Sequence, residues 1–217
     1  MSRTAPVEKK SYAKNPSAGN IEWNAQRAEW KVWDGNNKVQ SFVSEPFKFA
    51  KLDERSSVEG WSEELGSIAS SEFQYATDEL RVYAYKNGDS KLIKEGSYSD
   101  LKAELKEDGL SYYKIVYVML LDDVADIPVG SIVKLKLKGK TCTRWIDEKN
   151  GEKANLKAEG SENSGRFYYP VFEDVEISKH EMGEADDADK KLQAFFNDTL
   201  VDTIDAGEKE MLDDIPF

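Results

Sequence analysis

Residues 111–121 read Ser-Tyr-Tyr-Lys-Ile-Val-Tyr-Val-Met-Leu-Leu, an almost unbroken run of aromatic, aliphatic and β-branched side chains. Such side chains lose rotamer freedom against the preceding turn of a helix and pack well on a pleated surface. Both parities of the run are apolar, so neither face suits water. The segment is expected to be a central, buried strand, and the rest of the chain has to be built around it.

The flanking sequence supplies the other strands and the turns between them. Ala28–Trp33 and Lys38–Val43 flank Asp34-Gly35-Asn36-Asn37, and Glu79–Tyr85 and Lys91–Lys94 flank Asn87-Gly88. Both read as hairpins, because Gly and Asn accept the positive φ of tight turns. Further strands are expected at Pro46–Leu52, at Ser131–Trp145 before an Asn150-Gly151 turn, and at Arg166–Ile177. One helix interrupts them. Ser97 and Asp100 resemble a capping box, Tyr98, Leu101 and Leu105 follow at helical spacing, and Gly109 supplies the stop. A mainly β domain with one short helix between strands fits this order, as a barrel, half-barrel or sandwich.

The 217 residues carry a net charge of −12, which taken alone argues against a polyanionic ligand. Its distribution changes that reading. Residues 181–217 hold 12 acids and 3 bases, leaving 30 acids and 27 bases elsewhere. A nearly balanced body can carry a basic groove while the acidic excess sits in an appendage. Residues 1–20 are polar and aperiodic and read as a flexible arm. Within Asp187–Asp205, Leu192, Phe195, Phe196, Leu200 and Ile204 fall near one helical face, predicting an acidic amphipathic helix. Its stripe could pair two copies or pack on its own body. Residues 206–212 would connect it to the C-terminus.

Catalytic signatures are thin. His180 is the single histidine, which excludes a multi-histidine metal site, and it reads as a surface residue. Cys142 is the single cysteine and reads as a packing residue; no intrachain disulfide can form. No phosphate-binding glycine loop of either common type occurs. The acid pairs Asp122-Asp123, Asp186-Asp187 and Asp213-Asp214 read as solvated charge. No cofactor, no metal and no enzymatic activity are expected. No apolar run approaches 18 residues and no signal-like stretch opens the chain, so a cytoplasmic protein without membrane contact is expected.

Two constellations suit a nucleic acid strand. Lys134, Lys136, Lys138 and Lys140 alternate with Val133, Leu135 and Leu137, and Arg144 shares their parity. On a strand these cations share one face at intervals of about 6–7 Å, close to the phosphate spacing of an extended single strand. The same pattern describes an ordinary solvated sheet face. Aromatics form the second set: Trp30 and Trp33 border a hairpin beside Lys31 and Lys38, and Tyr83 and Tyr85 share parity with Arg81. Ring stacking beside positive charge is how single strands are held without sequence preference. Phe47, Phe49, Ile115 and Tyr117 are expected in the core.

The chain stops at Asp213-Asp214-Ile215-Pro216-Phe217 after an acidic stretch. Pro216 fixes φ, and Phe217 joins a ring to a free carboxylate, which suits an apolar pocket beside a basic group. This tip resembles the C-terminal peptide of bacterial and phage single-stranded-DNA-binding proteins (SSBs). The connector differs, since bacterial SSBs carry a long Gly/Gln/Pro-rich linker, so the likeness is to a phage-type or divergent SSB. It implies an OB-fold-like antiparallel barrel over residues 21–180 with an acidic tail over 181–217. It further implies binding of single-stranded DNA during replication, recombination or repair, possible homo-oligomers, and recruitment of replication and repair proteins by Asp213, Asp214, Ile215, Pro216 and Phe217. The tail carboxylates could also lie in the basic groove until DNA displaces them. The competing expectation is an acidic interaction protein that uses the tip to occupy pockets on host replication enzymes and binds no DNA.

Overall fold

The computed structural model describes residues 15–148, 153–160 and 167–202. Among these described residues eleven strands and three helices follow in the order β1 (Ser17–Asn24), β2 (Glu29–Asp34), β3 (Val39–Val43), β4 (Lys48–Ser62), β5 (Gly66–Ser70), β6 (Glu79–Lys86), β7 (Asp89–Ser97), α1 (Tyr98–Glu107), β8 (Ser111–Leu120), β9 (Ile132–Lys138), α2 (Gly139–Glu148), β10 (Lys153–Gly160), β11 (Tyr168–Glu173) and α3 (Lys179–Asp202). The sheet runs β3-β2-β1-β9-β8-β4-β5-β6-β7, with β10 joining the start of β4 and β11 joining β10. All pairings are antiparallel except β1 with β9. The path is open: among the described residues no pairing joins its two ends into a barrel.

The apolar run at 111–120 is the strand that two cores share. Val116, Val118 and Leu120 enter a core with Ile21, Trp30, Phe49, Trp145 and Phe172. Ile115, Tyr117 and Met119 enter another with Ala188, Leu192 and Phe196 of α3. A strand covered on both faces needs apolar residues at both parities, which is why alternation is missing there. A third core lies under α1, where Leu105 meets Val58, Ile68, Leu80 and Val82. Gly60 faces that core, and a Cβ there would come within 2.4 Å of the Leu110 side chain.

Both hairpins form as expected. Asn87 and Gly88 take φ of 56° and 85°, and Asp34 accepts bonds from the backbone of Asn36 and Asn37. Helix α1 is capped by Ser97, whose side chain accepts from the Asp100 backbone. Several boundaries differ from the sequence reading. The expected arm over 1–20 ends earlier, because Ser17–Asn24 forms β1 with Ile21 and Trp23 buried. The expected strand Ser131–Trp145 ends at Lys138. Gly139 adopts φ of +55° and starts α2, in which Thr141, Cys142 and Trp145 are buried at helical spacing. Lys140 and Arg144 therefore leave the strand. Helix α3 opens at Lys179 rather than Asp187, since Ser178 and Glu181 form a reciprocal capping box: the Glu181 N–H donates to Ser178 Oγ and the Ser178 N–H to Glu181 Oε2. Its apolar stripe packs on the chain's own sheet, and Phe196 meets Tyr117 edge-on at 5.3 Å. Strands β5 and β10 were not anticipated.

Candidate nucleic-acid interface

Residues directly opposite each other on neighbouring strands point to the same face of a sheet, so the register assigns each candidate a side. Lys134, Lys136 and Lys138 of β9 oppose Tyr117, Ile115 and Tyr113 of β8. Those three oppose Asp53, Arg55 and Ser57 of β4, and β4 continues on this face to Glu59 and Trp61. Trp61 opposes Ser67 and Glu59 opposes Ala69 on β5, and these oppose Tyr85 and Tyr83 on β6. In the other direction Lys134 and Lys136 neighbour Asn20 and Glu22 of β1, which oppose Trp33 and Lys31 of β2. One continuous face thus carries the lysine ladder, Trp33, Trp61, Tyr83, Tyr85 and, by parity, Arg81. Helix α3 covers the part of it over Arg55 and Tyr117, with the Arg55 guanidinium 3.4 Å from the centre of the Phe196 ring.

The ladder is present as geometry, but carboxylates answer its charge. Lys134 donates to Glu72 at 2.9 Å, Lys136 to Glu59, and Lys138 lies 3.1 Å from Glu22 while donating to the Tyr113 hydroxyl at 3.0 Å. Glu72 also accepts from the Tyr117 hydroxyl at 2.8 Å. Burial disfavours a charged Lys134, yet attraction to Glu72 outweighs it and holds the ammonium above its usual range. The Tyr117 hydroxyl is pushed upward, chiefly by burial. Lys138 is raised too, because its bonds to Tyr113 and Glu22 outweigh its desolvation. Arg81 is bound to Glu95 at 2.7 Å. The charges of Lys134, Lys136, Lys138 and Arg81 are therefore held in pairs that would have to exchange a carboxylate for a phosphate.

Other candidates fall elsewhere. Trp30 points away from this face into the core, 2% exposed and 4.8 Å from the Trp23 ring, so it offers no stacking surface. Tyr85 is buried as well, at 8% exposure, whereas Trp33 and Tyr83 are half-buried. Lys140 lies in α2 with its ammonium 5.5 Å from the Tyr169 ring centre, and Arg144 lies on the same helix. Asp213, Asp214, Ile215, Pro216 and Phe217 lie outside the described residues. Trp33 lines a polar cleft of about 270 Å³ with Asn20, Asn36 and Lys134.

Trp61 is the residue that the sequence reading passed over as a site. It is 70% exposed, the most open large apolar side chain among the described residues, at the end of β4 beside the aromatic patch of β6. Its signal was available in the alternation Arg55, Ser57, Glu59, Trp61 against Ser56, Val58 and Gly60, which puts a ring on a polar face. Among the described residues no group of three or more His, Cys, Asp and Glu side chains is placed to hold a metal, and no helix is long and apolar enough to cross a membrane. Scanned against protein-family models, curated proteins and solved structures, the chain returned no significant match.

Proposed function

We propose that this protein binds single-stranded DNA without catalysis, as a divergent SSB, on the face that runs from Trp61 and β6 across the lysine ladder to Trp33. The observation that carries this reading is the register: Lys134, Lys136 and Lys138, Trp33, and Arg81 with Tyr83 and Tyr85, drawn from three sets chosen for ring and charge content, share one side of one sheet. Strand order lends support to an OB-like core. The neighbours β9-β8-β4-β5-β6 connect in the manner of a five-stranded, partly open Greek-key barrel, with the long β4 central and α1 before β8. In such barrels the face of the second and third strands, here β5 and β6, is an oligonucleotide-binding surface.

Helix α3 gives the tail its direction. Its start lies near Lys48, which draws the Glu181 carboxyl below its usual range after the larger effect of the Ser178 bonds, and Phe196 lies over Arg55 further along β4. The described part of the helix therefore runs along β4 toward Glu59 and Trp61. The reading gives the tail carboxylates two roles: competing with phosphates for the cations of this face, and presenting the tip to replication and repair enzymes.

Titration with oligo-dT, followed by tryptophan fluorescence at two salt concentrations with duplex as control, tests the proposal. Saturable quenching that prefers single strands supports it. The second reading, an acidic protein that only competes for tip-binding pockets, draws on the neutralised lysine ladder. It predicts no quenching even at low salt, with the protein folded.

A further inference from the structure

The cleft beside Trp33 holds about 270 Å³, just under the roughly 300 Å³ at which small-molecule sites begin, which limits its occupant to a group about the size of one nucleoside. Trp33, Asn20, Asn36 and Lys134 contribute to its wall. Asn20 on β1 stands between Trp33 of β2 and Lys134 of β9, so these three side chains form one row across the sheet. Asn36 comes from the turn after β2, where Asp34 accepts from its backbone N–H and leaves its side chain out of the turn. These groups differ from the lysine ladder in being unspent. Among the described residues, neither the Asn20 and Asn36 amides nor the Trp33 indole N–H has a hydrogen-bond partner. Asn20 and Trp33 are half-buried, so polar groups partly withdrawn from water stand unmatched around one small space. Lys31 lies on the same side of β2, two residues before Trp33. It is exposed and makes no ion pair among the described residues, whereas Lys134, Lys136 and Lys138 each meet a carboxylate.

We infer that this cleft is a base-reading subsite: one nucleobase lies against the Trp33 ring with its edge on the amides of Asn20 and Asn36, and Lys31 meets a phosphate of the same strand. The subsite depends on the reading of this face as a single-strand surface and adds a base preference to it. Its chemistry selects adenine. A carboxamide presents a donor and an acceptor side by side, which matches N6 and N7 of adenine, whereas guanine offers two acceptors and calls for the donors of Arg or Lys. The cation in the cleft wall, Lys134, is committed to Glu72 at 2.9 Å and so does not serve guanine. Ring stacking alone holds any base, so discrimination has to come from the two amides.

The test is nitrogen–proton correlation NMR of the full chain, reading the Trp33 indole and the Asn20 and Asn36 side-chain amides. The probes are the four deoxynucleoside monophosphates, then oligo-dA and oligo-dT. The adenine nucleotide is expected to shift these signals saturably and to bind at least about fivefold tighter than the other three, the lower end of what one good edge contact supplies. Oligo-dA should move the same signals at lower concentration, since neighbouring contacts add to its affinity. Asn20→Ala combined with Asn36→Ala should bring the four nucleotide affinities within about twofold of one another, with the indole signals of buried Trp23, Trp30 and Trp145 unmoved as evidence of an intact fold. Signals that stay still under all four nucleotides while oligo-dT binds overturn the subsite and leave the single-strand face standing. A response to free nucleotide with no binding of either oligonucleotide overturns both, and marks a pocket for free nucleotides instead. A series that is flat or led by another base overturns the subsite, as does an adenine preference that survives the double substitution.

Discussion

Replacing Trp61 with alanine separates stacking from folding more cleanly than any other change in this chain. The side chain is 70% exposed, and its cross-strand partners are Ser67 and, one strand further, Tyr85. Little packing is lost with it, so stability should move by no more than about 0.5 kcal/mol, or roughly 2 °C in Tm. If one base stacks on this ring, the loss of affinity is about 1–3 kcal/mol, a rise in Kd of roughly 5- to 150-fold. Fluorescence supplies an internal check. Trp23, Trp30 and Trp145 are buried and Trp33 is half-buried, so quenching by oligo-dT should arise chiefly from Trp61 and fall sharply in the variant. Affinity would be measured by anisotropy of a labelled oligonucleotide, which does not depend on the lost fluorophore. An affinity within twofold of wild type, with saturable quenching retained, would refute the placement of the stacking surface at this end of β4.

Trp30→Ala should show the opposite profile, a stability loss of about 3–5 kcal/mol by thermal or urea unfolding and no specific effect on quenching, because the ring sits 2% exposed in the core. Lys134→Glu sets a new carboxylate against Glu72 in a largely buried position and should lower Tm by roughly 10 °C, whereas Lys138→Gln, at a half-exposed side chain, should cost under about 1 kcal/mol and reduce the salt dependence of DNA binding. Glu54 titrates at about 2: burial alone would raise it, but bonds from Lys114, Lys51 and the Trp145 indole outweigh that penalty. A carboxyl depressed in the folded state stabilises above its unfolded pKa near 4.5 and loses that contribution as pH falls toward about 2. Glu54→Gln should therefore remove about 1–2 kcal/mol of acid-sensitive stability across that window, discounted for its part exposure and read as a flatter urea-midpoint profile. Deleting Asp213–Phe217 should leave or raise affinity for oligo-dT, measured by anisotropy; a tenfold loss would contradict competition by the tail.

Local chemistry made much of the fold readable. Asn87-Gly88 and the Asp34 turn set the hairpins through φ and an acceptor side chain, and Ser97 with Asp100 set the start of α1. The run at 111–120 announced a buried strand because nothing polar could compensate either face. What escaped was whatever depended on partners remote in sequence. Strand β1 exists because Ile21 meets Leu135 in a parallel register that no local pattern encodes. The lysines read as an open ladder because parity gives the side of a strand but not what stands opposite, and Glu72, Glu59 and Glu22 arrive from three other segments. Trp30, expected to stack, is buried, and Trp61, not singled out, is open for the same reason: each lies on a strand, and only the layers above it decide whether a ring is walled in or left open.

By itself, then, the sequence determined the β-rich class, the hairpins, both expected helices and the concentration of acid after residue 180. Tertiary structure decided that rings and cations from β2, β4, β6 and β9 share a single face, that α3 roofs part of it, and that Lys134, Lys136 and Lys138 are already matched. Turns and periodicities act over a few residues through backbone sterics. Register and burial are collective, fixed only when strands far apart in the chain choose their neighbours.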